Sequence, residues 1–264
     1  MLTASVVTYH TSFNELEQCF NSLASSGLVS KLYVVDNGEE ERIRQFCSSA
    51  PLQCDYIPLP NPGYGAAHNV AIRKALAAGA DFHLVLNTDV AFGPEVLPAL
   101  VQYMESHPDA GMVQPMIVNA SGALEPSARL LPTPFDLILR RFLPDGWFKT
   151  RRCRYLLAHV DHSQPFNAPY LEGSFMLMRS EALRSTGGFD ERFFMYPEDI
   201  DLTRRMHRNW GTIYCPVAQI THLHKRASYS SLRMLWVHCS NMVRYFNKWG
   251  WLIDHERNRF NAPF

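Results

Sequence analysis

The chain of 264 residues is 47% hydrophobic and 19% charged. It can bury a sizeable core, and its composition excludes a disordered, collagen-like or coiled-coil protein. Its net charge of zero conceals an asymmetry: residues 1–202 carry 15 basic and 23 acidic side chains, residues 203–264 carry 10 and 2. A basic C-terminal stretch of this kind points to an anionic partner, whether phosphate, membrane or nucleic acid.

Ala4–Thr8 reads as a short β-branched strand. From Asn14 to Ser26 the apolar residues Leu16, Cys19, Phe20 and Leu23 recur at helical spacing. Leu32–Val35 is the next strand, stopped by the turn residues Asp36-Asn37-Gly38. A helix is predicted over Glu39–Ser48, a weak strand over Tyr56–Leu59 and an alanine-rich helix over Gly65–Ala78. Phe82–Leu86 is a buried strand ending at Asn87-Thr88-Asp89. Pro94 opens a helix that reaches about His107, and Met112–Val118 is a further strand. Residues 119–170 are rich in proline and arginine and read as an excursion over the sheet, with a short helix around Pro134–Phe142. Order resumes at Ser174–Arg179, followed by a helix over Asp199–Asn209, a short strand at Gln219–Thr221 and a helix over Leu232–Asn247.

Strands alternating with helices imply an α/β fold with a mostly parallel central sheet and helices on both faces. Ligands of such sheets bind beyond the carboxyl ends of the strands, which here carry Asp36, Asn61–Gly65 and Asp89. The expected organisation is one catalytic body, residues 1–228, and a basic, aromatic C-terminal helical segment, residues 229–264. The six cysteines are scattered without a C-x-x-C pair, which fits reduced thiols rather than a zinc ribbon or disulfide scaffold. No signal peptide and no apolar run of spanning length is visible, so a cytoplasmic location is expected.

Several residues carry candidate chemistry. Asp89, at a strand end, reads either as a ligand for a divalent cation or as a helix cap. Asn61-Pro62-Gly63-Tyr64-Gly65 ahead of a helix reads as a phosphate-cradling loop or as a plain turn. Glu198-Asp199-Ile200-Asp201 places three carboxylates at a helix start, where capping is one explanation and catalysis another. The cluster follows an aromatic stretch ending in Phe193-Phe194-Met195-Tyr196, suited to a sugar, and precedes Arg204 and Arg205, which could face a phosphate or pair with Asp201. His222 and His224 alternate after a short strand and so share one side, compatible with metal ligation or with a polar surface.

In order and spacing these motifs resemble inverting family 2 glycosyltransferases of the GT-A fold. The landmarks are Ser5–Tyr9, Val34–Asn37, Asn61–Asn69, Leu86–Val90, Glu172–Met176, and Gly187–Arg205 followed by His222. The Leu-Asn-Thr-Asp-Val and Phe-Met-Tyr-Pro-Glu-Asp-Ile-Asp-Leu forms are similar to bacterial rhamnosyltransferases of O-antigen and related polysaccharide assembly. The resemblance implies a nucleotide-sugar donor such as dTDP-L-rhamnose, a polyprenyl-diphosphate-linked acceptor, and Mg²⁺ or Mn²⁺. It implies that Thr8, Tyr9, Asp36 and Asn37 hold the nucleotide, with Asp36 reading the pyrimidine. Gly63 and Asn69 would shape the donor pocket, with Asn87, Thr88, Arg204 and Arg205 also on the donor. Asp89 and His222 would hold the metal, with His224 the alternative to His222. Asp199 would be the general base beside Glu198, and Glu172, Gly173 and Tyr196 would meet the acceptor. Asn87 departs from the family pattern, standing where the first acid of its metal motif is expected.

UDP-galactofuranose transfer and a non-catalytic nucleotide-sugar-binding role are the alternatives. Nucleotidyl transfer lacks its lysine- and glycine-rich phosphate loop between Met1 and Lys31, and no helix-turn-helix or zinc motif supports a nucleic-acid partner. The C-terminal segment interleaves Trp236, Val243, Phe246, Trp249 and Trp251 with Arg244, Lys248, Arg257 and Arg259. It reads as a peripheral anchor on the inner face of the cytoplasmic membrane, or as a helix packed on the catalytic body or in a homodimer contact.

Overall fold

The computed structural model of the chain describes residues 1–137, 148–223 and 232–264. Strand and helix alternate through the first half as β1 (Leu2–Thr8), α1 (Phe13–Ser25), β2 (Val29–Asp36), α2 (Glu41–Ser48), β3 (Cys54–Pro58), α3 (Tyr64–Ala77), β4 (Phe82–Leu86), β5 (Val90–Ala91), α4 (Val96–Ser106) and β6 (Ala110–Asn119). There follow β7 (Ala128–Arg129), α5 (Lys149–Tyr155), β8 (Phe166–Asn167), β9 (Tyr170–Leu171), β10 (Phe175–Arg179), α6 (Ser180–Thr186) and α7 (Glu198–Met206). The chain then enters β11 (Gly211–His222) and ends in α8 (Leu232–Trp249) and α9 (His255–Asn261).

The main sheet runs β3-β2-β1-β4-β10-β6-β11-β5, with β8 also paired to β11. Neighbours are parallel from β3 to β4 and between β6 and β11, whereas β10 runs antiparallel to both β4 and β6. The strands are apolar on both sides, as a doubly covered sheet requires. Leu84 and Leu86 of β4 and Phe175 and Leu177 of β10 join the core formed with α1, α2 and α4. Val85, Met176 and Met178, one pleat away, pack instead with α6 and α7, while Tyr33 and Val35 of β2 meet the small face of α3 at Ala67, Ala71 and Ala75. Alanines there bring α3 close to the sheet and so aim its N-terminus at the strand ends. The α/β class with helices on both faces is thus the observed architecture.

Several elements differ from the sequence reading. The short strand expected at Gln219–Thr221 is the end of the 12-residue β11. Pro216 hides it, because a proline cannot donate to a ladder, and the pairing with β6 shifts register between Cys215 and Gln219 to bypass it. Helices α5, α6 and α9 were not expected. The short helix expected around Pro134–Phe142 is helical at 134–137, and the rest of it lies outside the described residues.

Helix α8 does not stand away from the body. Its Tyr245 and Phe246 pack with Phe260 of α9 against Tyr170, Phe193, Ile200 and Leu131. Among the described residues Trp236, 71% exposed, and Val243, 45% exposed, face outward on α8, and in the linker between α8 and α9 Leu252 and Ile253 are 86% and 76% exposed.

Candidate active site

The acidic cluster opens α7 next to the turn before β10. Asp199 is half-buried, and its Oδ2 accepts hydrogen bonds from the Tyr170 hydroxyl (2.9 Å) and the Gly173 N–H (3.1 Å), while Oδ1 accepts from the Ile200 N–H (2.8 Å). Glu198 is more deeply buried, and its Oε2 has no hydrogen-bond partner. Burial, and then the charge of Asp199, push the Glu198 carboxyl up to about 8. Burial also raises Asp199, but its hydrogen bonds from Tyr170, Ile200 and Gly173 oppose the shift. Two neighbouring carboxylates in one buried site cannot both ionise cheaply. The hydrogen bonds select Asp199 as the ionised member and leave Glu198 the protonated one near neutral pH. An ionised, half-exposed carboxylate with fixed orientation is a competent proton acceptor.

Arg129 was missed in the sequence, where nothing in its proline-rich surroundings marks it. Its guanidinium closely pairs with Glu172, lies 5.6 Å from the Tyr170 ring centre and is 6% exposed. Glu172 is therefore held as an ion-pair partner beside Tyr170 and Asp199. Tyr196 has φ of +53° and stacks edge-on to His238 of α8, with ring centres 5.1 Å apart.

On the neighbouring strand ends, the His222 Nε2 lies 3.2 Å from Asp89 Oδ1, and its Nδ1 lies 3.5 Å from Glu125 Oε2. Burial would lower the His222 pKa, but the Asp89 hydrogen bond and the charges of Asp89, Glu172 and Glu125 outweigh it and raise it. A carboxylate and an imidazole paired in this way, with the carboxylate a quarter exposed, are a donor set that fits a divalent cation. Among the described residues no third His, Cys, Asp or Glu completes a protein cage. The remaining ligands would have to be water and substrate oxygens, as is usual for Mg²⁺. Thr88 sits half-buried between Asn87 and Asp89, and His224 lies outside the described residues.

Six expectations for the donor side need correction, those for Asp36, Thr8, Gly63, Asn69, Arg204 and Arg205. Asp36 is fully buried, and its carboxylate is saturated by Thr8 Oγ1, the Tyr56 hydroxyl and the N–H groups of Gly38 and Glu40. It builds the turn after β2 rather than offering an acceptor to a pyrimidine. Thr8 is spent on the same bond, while Tyr9 beside it is 56% exposed.

Gly63 and Asn69, expected to shape the donor pocket, instead lock two loops together. Gly63 has φ of +104°, a side chain there would meet the Phe194 carbonyl at 2.3 Å, and the Tyr64 N–H at the start of α3 donates to that same oxygen (2.9 Å). The Asn69 amide donates to the Phe189 carbonyl and to Glu191 and accepts from the Phe189 N–H. Asn37 likewise donates to Asn61 (3.2 Å). The motif from Asn61 to Asn69 thus fastens the aromatic, acidic loop to the strand ends.

Arg204 and Arg205 do not face a diphosphate. Arg204 is 1% exposed, pairs bidentately with Asp254, donates to Glu256 and stacks 4.1 Å from the Trp249 ring centre. Arg205 is spent on Asp201 and on the carbonyls of Thr186 and Gly188. Lys248 of α8 donates to Asp190 and Asp201, and Arg244 to the Arg192 carbonyl and Asn241. The basic tail therefore neutralises acidic groups of its own molecule to a considerable extent.

Comparison with known proteins follows this geometry. The family model described as glycosyltransferase like family 2 matches residues 2–246. An N-acetylglucosaminyl-diphospho-decaprenol L-rhamnosyltransferase of Mycobacterium tuberculosis is 34% identical over 224 residues, 78% of this chain and 70% of its own. Rhamnosyltransferase WbbL of Escherichia coli is 26% identical over 270 residues, 98% of each chain. Among solved structures, GalNAc-T7 with UDP, GalNAc and Mn2+ superposes with a TM-score of 0.66 at 13% identity. The match covers 99% of this chain, which spans about half (49%) of that protein. Mannosyltransferase PcManGT from Pyrobaculum calidifontis, in complex with GDP-Man and Mn2+, superposes with a TM-score of 0.60 at 16% identity, over 92% of this chain and 64% of its own. Likeness at such identity speaks to the fold.

Proposed function

The chain belongs to glycosyltransferase like family 2, and on that premise we propose that it transfers L-rhamnose from a dTDP-linked donor, with inversion, to a polyprenyl-diphosphate-linked N-acetylglucosamine in cell-surface polysaccharide synthesis. The observation that carries the reading is the single oriented carboxylate: Asp199 is fixed by three hydrogen bonds, with protonated Glu198 behind it. The relatives named above support the donor sugar and the acceptor.

In this mechanism Asp199 takes the proton of the acceptor hydroxyl as its oxygen attacks the anomeric carbon from the face opposite the nucleotide. The bond from that carbon to the diphosphate breaks, and the nucleoside diphosphate leaves with the electron pair. One carboxylate suffices, because diphosphate departs unprotonated, whereas a glycosidase needs a second as acid. Tyr170 and Gly173 hold Asp199 in a fixed orientation, and Arg129 pairs with Glu172 and so offsets part of the charge that Glu172 sets beside Asp199. Asp89 and His222 would hold a divalent cation, which when bound supplies neutralisation for the leaving diphosphate.

Purified protein supplied with Mn²⁺ and the decaprenyl-type acceptor is expected to incorporate rhamnose from dTDP-L-rhamnose at least tenfold faster than sugar from UDP-galactofuranose or GDP-mannose. Preference for another donor would overturn the sugar assignment. Hydrolysis and transfer both at background, with and without Mn²⁺, would favour a binding role.

A lipid-linked acceptor would be met at a membrane surface. No helix among the described residues is long and apolar enough to cross a membrane. Trp236, Trp251, Leu252 and Ile253 are exposed on and beside α8 and would enter the interface. Flotation with anionic liposomes at low salt is expected to carry the protein upward, and a variant with Leu252 and Ile253 changed to serine to stay down. Equal behaviour of the two would remove this anchor.

A further inference from the structure

Tyr64 joins the two halves of the site. Its hydroxyl faces two acceptors, Asn87 Oδ1 at 2.8 Å, next to the Asp89 loop, and the Gly173 carbonyl at 2.9 Å. Gly173 in turn gives its N–H to Asp199, and it approaches so closely that a side chain there would meet Asp199 Cβ at 3.0 Å. The Asn87 N–H also donates to the carbonyl of Ser174 (2.9 Å), so the turn before β10 is tied to the end of β4 by backbone and by Tyr64 together. The tyrosine ring is fixed against His68, with ring centres 4.5 Å apart, and against Phe189 at 6.2 Å.

The hydroxyl has one proton and two neighbours. The Gly173 carbonyl can only accept. Both contacts are satisfied together only when the Asn87 amide turns over, so that its NH₂ group in place of Oδ1 faces Tyr64 and donates to the hydroxyl oxygen, leaving the hydroxyl proton for Gly173. An aspartate at 87 could only accept. It would compete with Gly173 for the proton and loosen the turn.

We propose that Asn87, Tyr64 and Gly173 form a hydrogen-bonded strut that positions Asp199, and that asparagine stands at 87 because the strut needs a donor there rather than an anionic cation ligand. The positioning role rests on the reading of Asp199 as the base; the strut itself does not.

Two variants test it, Tyr64→Phe, which keeps the ring, and Asn87→Asp, each checked for an unchanged melting temperature within a few degrees. Hydrogen exchange at the Gly173 N–H is read in the free protein, and kcat, donor KM and the half-saturating Mn²⁺ concentration in the transfer assay. The expected result is exchange faster by about tenfold in both variants, in line with one lost hydrogen bond. In the same variants kcat falls by about tenfold and donor KM stays within about twofold. Half-saturating Mn²⁺ is not lowered by Asn87→Asp. Unchanged exchange in Tyr64→Phe would overturn the strut. Tighter Mn²⁺ or a higher kcat in Asn87→Asp would make Asn87 a weakened cation ligand instead. If the unaltered protein transfers no sugar, the functional reading fails while the exchange measurement still decides the strut.

Discussion

Asp199→Asn is expected to lower sugar transfer by at least about a hundredfold while leaving the protein folded, since a positioned base contributes roughly 10²–10⁴-fold. The substitution is isosteric. The amide oxygen can still accept from Tyr170 and Gly173, and only the Ile200 N–H, which now faces an NH₂ group, loses its acceptor. The proton acceptor is what disappears. Donor binding is expected to persist, because Asp89 and His222 lie at strand ends apart from the helix that carries Asp199. The measurement is kcat with purified acceptor, beside a melting curve, and retention of more than about a tenth of the normal rate would rule Asp199 out as the base. The unaltered enzyme should also show an acid limb. Asp199 works only as the carboxylate and burial raises its pKa, so activity is present above that raised value and lost as the pH falls through it. In Asp199→Asn the residual rate should lose this limb.

Arg204→Met is expected to act on stability and not on the donor. The guanidinium is buried between Asp254 and Glu256, and Asp254, 3% exposed at its side chain, also caps α9 by accepting the Arg257 N–H. Methionine fills a similar volume against Trp249 but leaves the Asp254 carboxylate buried without its bidentate partner. Breaking such a pair costs about 3–5 kcal/mol. For a chain of this size that is a fall of roughly 10 °C or more in the melting temperature. Changing Asp254 to Asn in the same molecule should recover part of the loss, because the remaining charge is removed. At a temperature where the variant is folded, donor KM should match the unaltered protein. A raised donor KM with an unchanged melting temperature would return Arg204 to the diphosphate.

Much of the site was legible because it follows from local chemistry at strand ends. An apolar strand that stops at Asn87-Thr88-Asp89, and an acidic run that opens a helix at Glu198, place functional groups on the carboxyl edge wherever the sheet is parallel. What each polar group does with its hydrogen bonds was not legible. Asp36 and Asn69 stand in motifs that suggest ligand contact, yet both are consumed by the protein, since turns buried at strand ends must satisfy their own N–H groups. Tyr64 gave a hint through its place in the glycine loop. Arg129 gave none, because its partners Glu172 and Tyr170 lie more than 40 residues away.

The sequence by itself determined the layered α/β architecture, the strand end that carries Asp89, the acidic helix start that carries Asp199, and the charge division between the two parts of the chain. Periodicity and turn chemistry are local properties, and they survive whatever the rest of the molecule does. The tertiary structure alone decided which charges are free. Arg204 and Lys248 could have faced a ligand, but folding brings Asp254 and Asp190 to them first, whereas the Arg205–Asp201 pair lies within one helix and was already open to the sequence. A buried charge must find its partner within the protein or stay in water, and that choice depends on which distant segments meet.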